Sequence, residues 1–264
     1  MITKEHVFSL ISKEVFVREV FVYPSLESTN KTAKEMAIGG AAHGTIIIAD
    51  YQTAGKGRYG RAFHSPAGHG IYMSLILHPS QLCLDATGLL THFAAVSVCE
   101  AIEAISDKKP KIKWVNDIFL GNKKICGILT EAVTDFESGN MQWIVVGIGI
   151  NFSTPVADFP EELRKIAGAI FDSGDVSTTR NHLIAEIINR MMICKNQFDK
   201  KEVLEKYRKR LMMLGQSVLV TGAGKSYEAT AMDIDDMGRL IVKKGTGETL
   251  PLSVGEISAS IKLF

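Results

Sequence analysis

Cations and glycines concentrate between Gln52 and Gly70, in the stretch QTAGKGRYGRAFHSPAGHG. Gly55, Gly57, Gly60, Gly68 and Gly70 surround Lys56, Arg58 and Arg61. Glycine loses more backbone freedom on ordering than any other residue. Like charges held this close also repel one another. An anion is therefore expected to order this loop, with backbone N–H groups and cations both facing it. Four more clusters could join it. Ser28, Thr29 and Asn30 offer short hydrogen-bonding side chains at a strand-to-helix junction, although a helix cap would equally explain Ser28. Lys113, Asn116 and Asp117 place a cation and a carboxylate around a strand end, where a plain β-turn is the alternative. Lys124 starts an otherwise apolar strand, either as a site residue or as an edge lysine extending to water. Gly147 and Gly149 precede Asn151 in a very apolar run, which marks close approach of a backbone or a ligand.

Three better-known patterns fail on their surroundings. Gly55, Gly57 and Gly60 spell G-x-G-x-x-G, but a dinucleotide-binding turn must open a helix. Here Pro66, Gly68 and Gly70 follow, and the next acidic residue, Asp85, does not stand at the end of a second strand. A kinase glycine loop would need H-R-D and D-F-G downstream, and neither occurs. Gly224–Lys225–Ser226 resembles the end of a P-loop, yet Leu219 stands where that pattern requires glycine, so a hairpin turn fits better.

The elements that must hold these residues follow from periodicity. Residues 17–23, 45–50 and 71–78 read as strands, with a helix over 29–38 between the first two. A long buried helix is expected over 87–106, strands over 112–115, 124–133 and 142–152, and turns at Asn116–Asp117, Gly121–Asn122 and 138–140. Helices are expected over 161–168, 178–198 and 201–214. After Gly215, five short β-runs alternate with glycine turns, which predicts a small barrel. The expected fold is α+β, with one domain over 1–214 and a second over 215–264.

Net charge is +1, so no global field draws nucleic acid or anionic lipid, and any electrostatic function must be local. Cys83, Cys99, Cys126 and Cys194 are scattered without a C-x-x-C pair, which suggests reduced core thiols in a cytoplasmic protein. The charged first residues do not suit a secretion signal, and no apolar run is long enough to span a bilayer.

Taken in order, S-T-N, D-Y-Q-T-A-G-K-G-R-Y-G-R, K-W-x-N-D, K-x-x-G-I-L-x-E and G-I-G-I-N closely resemble the catalytic core of biotin–protein ligases. The terminal β segment resembles that family's small C-terminal domain. The resemblance implies a class II synthetase-like mixed sheet with flanking helices, followed by an SH3-like barrel. It also implies an ATP-dependent reaction. Biotin is activated as biotinyl-AMP and passed to a lysine of a biotin carboxyl carrier protein, with Mg²⁺ accompanying ATP. By matching positions, Ser28, Thr29, Asn30 and Gln52 would hold the ureido head of biotin. Gly55, Lys56, Gly57, Arg58 and Arg61 belong to the loop over the adenylate. Lys124 would sit beside the reacting carboxylate and α-phosphate, with Asp117, Asn116 and Lys113 around it, and Gly149 and Asn151 near the nucleotide. Lys124, Arg58 and Asp117 are the catalytic candidates. No residue is assigned firmly to a metal.

Three positions depart from the family's common pattern. Lys56 stands where arginine is frequent, Val115 where proline is usual, and Phe63 where some members have tryptophan. The family's regulatory members carry a helix-turn-helix before the S-T-N motif, and none fits before Ser28. The monofunctional form is therefore expected, without DNA as a partner; a homodimer is compatible with the family. The rivals are a lipoate–protein ligase, which shares the adenylate logic, and a non-catalytic biotin sensor, which would be expected to lack Lys124 and Arg58.

Overall fold

Three neighbouring strands of one sheet build the frame of the site. The computed structural model describes residues 1–81, 87–134, 140–172, 178–192, 199–222, 225–253 and 257–261. Strands β1 (Glu19–Tyr23), β2 (Thr45–Ala49), β3 (Gly70–Leu77), β4 (Lys111–Lys113), β5 (Asp117–Leu120), β6 (Lys123–Thr134) and β7 (Met141–Asn151) form a sheet ordered β1-β2-β3-β7-β6-β5-β4. Only the β1–β2 pair is parallel. Helix α2 (Thr29–Ile38) packs on one face through Ala33 and Ala37, against Ile47, Ile76 and Val145. Helices α1 (Lys4–Leu10), α3 (Thr87–Ile105), α4 (Arg180–Met191) and α5 (Lys200–Arg210) belong to the main core with Ile46, Ile48, Met73, Val146 and Ile148.

Side chains on a strand alternate between faces, so Gly147, Gly149 and Asn151 share the face of Val145 and α2. The register sets Tyr72 opposite Gly149, and Gly149 opposite Gly127; Ser74 faces Gly147, which faces Leu129. Beyond Val145 the α2 face of β7 thus has no side chain until Asn151. That gap leaves room for a pocket.

Several expected elements shift. The helix expected over 161–168 is only a 3₁₀ turn at Glu161–Leu163. The chain beyond it pairs instead with β6, where Lys124 N–H donates to Ile166 O and Gly168 N–H donates to Lys124 O. The turn expected at Asn116–Asp117 lies over Trp114–Asn116, and Asp117 opens the unforeseen strand β5. Helix α1 has no counterpart among the sequence expectations. The G-x-G-x-x-G segment forms a 3₁₀ turn at Arg58–Gly60 and opens no helix, as its sequence context predicts. The expectations at Cys83, Asp85, Cys194, 138–139 and 193–198 fall outside the described residues.

The last five strands, β8 (Ser217–Gly222), β9 (Lys225–Ile234), β10 (Leu240–Lys244), β11 (Thr249–Leu252) and β12 (Ile257–Ile261), fall where the sequence puts them. They form one antiparallel sheet ordered β11-β10-β9-β8-β12, and no pairing closes it into a barrel among the described residues. Gly222 pairs with Lys225 and Thr221 with Ser226, so Lys225 and Ser226 open an antiparallel strand; residues 223–224 are not described. This sheet is fastened to the rest at Gly238, whose carbonyl accepts from Trp114 Nε1 at 3.0 Å and lies 2.8 Å from His92 Nε2. Gly238 has φ of +73°, and a Cβ there would meet the His92 ring at 2.6 Å. Gly238→Ala is therefore expected to lower stability by about 2 kcal/mol, through backbone strain and overlap together. Chemical denaturation checks this, and a midpoint unchanged from the parent would show that the junction adapts.

Candidate active site

Helix α2 and strand β7 build the neutral end of a cavity of about 270 Å³. Thr29 and Asn30 occupy the first turn of α2, on the side that Ala33 and Ala37 pack against the sheet. Ser28 takes the N-cap position, but its hydroxyl makes no cap hydrogen bond, so the capping role does not account for this residue. Thr29 N–H donates to Gln52 Oε1 at 2.8 Å, and Gln52 Nε2 donates to Ser65 Oγ at 2.9 Å. Asn30 Nδ2 donates to Glu131 Oε2 at 2.8 Å and to Leu129 O at 3.2 Å. Ser74 Oγ lies 2.7 Å from Asn30 Oδ1 and 2.8 Å from Thr29 Oγ1. A Cβ on Gly147 would overlap the Asn30 carboxamide, and one on Gly149 would lie 2.7 Å from the Phe63 ring. The glycines of β7 thus let a polar side chain and an aromatic ring approach the sheet backbone.

The other end is cationic. Lys113 closes β4 directly opposite Asp117, which opens β5. Lys124 Nζ pairs with Asp117 Oδ1 at 2.6 Å. Arg58 Nη1 donates to Asn116 Oδ1 at 3.2 Å, and Asn116 is itself held by exchanging bonds with Ile128, Nδ2 to O and O from N. Burial pushes the Lys113 ammonium below its ordinary value; Lys124 and Arg61 add to this, while Asp117 opposes it. Lys113, Lys124, Arg58 and Arg61 all line the cavity, and Asp117 is its one carboxylate among the described residues. This corner is a strong local excess of positive charge in a chain of net +1.

The glycine loop spans the two ends as a small hairpin. Phe63 N–H donates to Gly55 O at 2.9 Å, Gly57 N–H donates to Arg61 O at 2.7 Å, and Lys56 bridges Ala62. Its own backbone pairing therefore supplies order that composition alone does not foretell. The base of the loop is tied by Asp50, which accepts from Gly68 N–H at 3.1 Å and pairs with Arg180 at 2.6 Å.

Every nominated site residue except Gly55 lines the cavity. Gly55 is a correction: a Cβ there would meet Phe63 O at 2.6 Å and Ser65 Oγ at 2.7 Å, so this glycine packs behind the loop. Asn151 lines the cavity; its Nδ2 donates to Gly168 O, while its buried Oδ1 has no hydrogen-bond partner among the described residues. Sequence reading missed Ser74, Ser65 and Glu131. The signal for Ser74 was a serine inside the otherwise bulky run of β3; for Glu131 it was the last letter of the K-x-x-G-I-L-x-E motif.

A neutral hydrogen-bonding end and a cationic end in one cavity suit a ligand with a polar head and a reacting anionic tail. Known proteins match the chain in sequence and in fold. Residues 22–151 match the model of the biotin/lipoate A/B protein ligase family, and 213–259 match the biotin protein ligase C terminal domain. The chain is 34% identical over 250 residues to the bifunctional ligase/repressor BirA of Bacillus subtilis, covering 90% of this chain and 73% of that protein. It is 29% identical over 247 residues to the biotin–[acetyl-CoA-carboxylase] ligase of Mycobacterium tuberculosis, covering 91% and 88%. The biotin protein ligase of Aquifex aeolicus in complex with biotin and ATP superposes with a TM-score of 0.79 at 26% identity, covering 92% of this chain and 99% of that one.

Proposed function

The chain belongs to the biotin/lipoate A/B protein ligase family, and from that premise we propose how its pocket divides the work of a biotin protein ligase. The enzyme uses ATP to activate biotin as biotinyl-AMP and then transfers the biotinyl group to a lysine of a biotin carboxyl carrier protein. In the first step a carboxylate oxygen bonds to the α-phosphorus and pyrophosphate leaves. In the second, the lysine ε-amine bonds to the acyl carbon, AMP leaves and the amine loses a proton. Both steps gather negative charge on phosphoryl oxygens, which preorganised cations stabilise best.

The observation that carries the assignment of residues is the division of one cavity into a neutral and a cationic end. Thr29, Asn30, Gln52 and Ser28 suit the ureido head of biotin, which both donates and accepts. Lys124, held by Asp117, suits the meeting point of carboxylate and α-phosphate. Lys113, Arg61 and Lys56 add countercharge, while Asn151, with its free buried oxygen, and Gly149 suit the nucleotide side. Asp117 is the residue that would touch Mg²⁺ arriving with ATP, an ion that offsets phosphate charge when bound. No group of three or more ligating side chains is present among the described residues.

Residues 1–214 are taken as the catalytic domain and 215–264 as an SH3-like one; the separate five-stranded sheet after Gly215 supports that division. A cytoplasmic setting is supported by the buried, unpaired thiols of Cys99 and Cys126.

Arg58 reaches across the cavity from the loop, donating to Asn116 and to Tyr59 Oη at 2.8 Å. Arg58→Gly is expected to release free biotinyl-AMP into solution, because the loop no longer retains it. Chromatography of the reaction without acceptor checks this; leakage equal to the parent's removes the retaining role. The function itself is tested by mass. An apo carrier domain should gain one biotin only when the protein, ATP and Mg²⁺ are all present, and modification with lipoate instead would reassign the substrate.

A further inference from the structure

Glu131 lies outside the cavity yet controls one of its walls. On β6 it accepts from Asn30 Nδ2 at 2.8 Å through one oxygen, and from Lys34 Nζ at 2.7 Å through the other. Asn30 is buried, and its amide nitrogen faces two groups that only accept, Glu131 Oε2 and Leu129 O. Its Oδ1 must then point at Ser74. Ser74 is fully buried and has one proton to share between Asn30 Oδ1 and Thr29 Oγ1. Because Oδ1 can only accept, Ser74 donates to it, and the Thr29 contact is made with the Thr29 proton. The competing contact of Thr29 Oγ1 with Gln52 Oε1 is longer, at 3.3 Å, and that oxygen already accepts from Thr29 N–H.

The geometry points to Glu131 as a positioning residue that, through Asn30 and Ser74, turns the lone pairs of the Thr29 hydroxyl toward the cavity as an acceptor for a cyclic urea N–H. The chain of bonds is directional because each member except the hydroxyls is limited to one role. Lys34 keeps Glu131 ionised: burial raises that carboxyl, but the bonds from Lys34 and Asn30 outweigh it and hold it below its ordinary range. Ser74, Glu131 and Lys34 do not line the cavity, so their influence on a ligand is transmitted and not by contact.

The inference rests on biotin as the ligand, and its test separates the two. In the ligand-free full chain, the Asn30 side-chain amide resonance, identified with Asn30→Asp, should shift in Glu131→Ala and stay near its parent position in Glu131→Gln, which keeps an accepting oxygen. In pyrophosphate exchange, Glu131→Ala should raise the KM for biotin about tenfold, as loss of one oriented hydrogen bond does, with kcat and the KM for ATP within about twofold. Glu131→Gln should recover biotin KM to within about threefold. Ser74→Ala should behave as Glu131→Ala does, and the double variant should be no worse than either, since both cut one chain. An unmoved Asn30 resonance, an unchanged biotin KM, or a parallel rise in the KM for ATP overturns the relay. Absence of biotin-dependent exchange in the parent overturns the substrate reading instead, while the resonance still decides the network.

Discussion

Lys124→Ala is expected to slow biotin-dependent exchange of labelled pyrophosphate into ATP by about two orders of magnitude or more, the usual cost of deleting a preorganised charge. The proposed role of Lys124 is to lie between two anions that must touch, the biotin carboxylate and the α-phosphate. Its side chain is aimed by the 2.6 Å pair with Asp117, while its backbone N–H and C=O are engaged with Ile166 and Gly168. Truncation thus removes the charge and leaves the strand anchored, so folding should survive. Asp117 would then lose its ion pair and keep only Lys113 as a nearby cation, so its charge would weigh more against the incoming phosphates and deepen the loss. Asp117→Asn should cost less than Lys124→Ala, because the ammonium remains and only its aim is loosened. Near-normal exchange by Lys124→Ala would falsify its place in the chemistry.

Gly147→Ala should raise the KM for biotin by about a hundredfold with kcat at saturation little changed. The added methyl would overlap the Asn30 carboxamide. Asn30 must then leave its bonds to Glu131, Leu129 O and Ser74, and the head-group wall loses several oriented bonds at once. Unpaired buried polar groups cost about 1–3 kcal/mol each, so a combined loss near a hundredfold is reasonable. The proposed site of carboxylate attack lies at the other end of the cavity, whose lysines and arginines are untouched by this change. Calorimetric titration with biotin gives a second readout free of turnover. Unaltered affinity would mean that Asn30 does not hold the head group.

Much of the site could be read from local pattern. The glycine loop, the lysine-rich strand ends and the paired glycines of β7 were all visible as departures from ordinary strand composition. Their convergence was harder to see. Ser28 offered a cap reading that only the missing cap bond removes. Gly55 sat among cavity-lining neighbours in sequence, yet its missing side chain serves packing against Phe63 and Ser65. The segment after Glu161 had helical spacing, but pairing with Lys124 gives its backbone groups better partners across the sheet edge. A single residue, Asp117, shows the limit clearly. Read locally it belongs to a turn, whereas pairing with Lys113 and Gly127 makes it the first residue of a strand.

By itself the chain's order of residues determined the five strands after Gly215, the class of reaction, and most of the side chains that line the cavity. Those properties follow from short-range periodicity and from the side-chain chemistry a reaction demands. Only the tertiary structure decided that β3, β7 and β6 lie side by side, which brings Ser74 to Asn30 and Glu131 to Lys34 across more than forty residues of chain. Strand order and register are settled by which faces can be buried together, a condition that no local stretch contains.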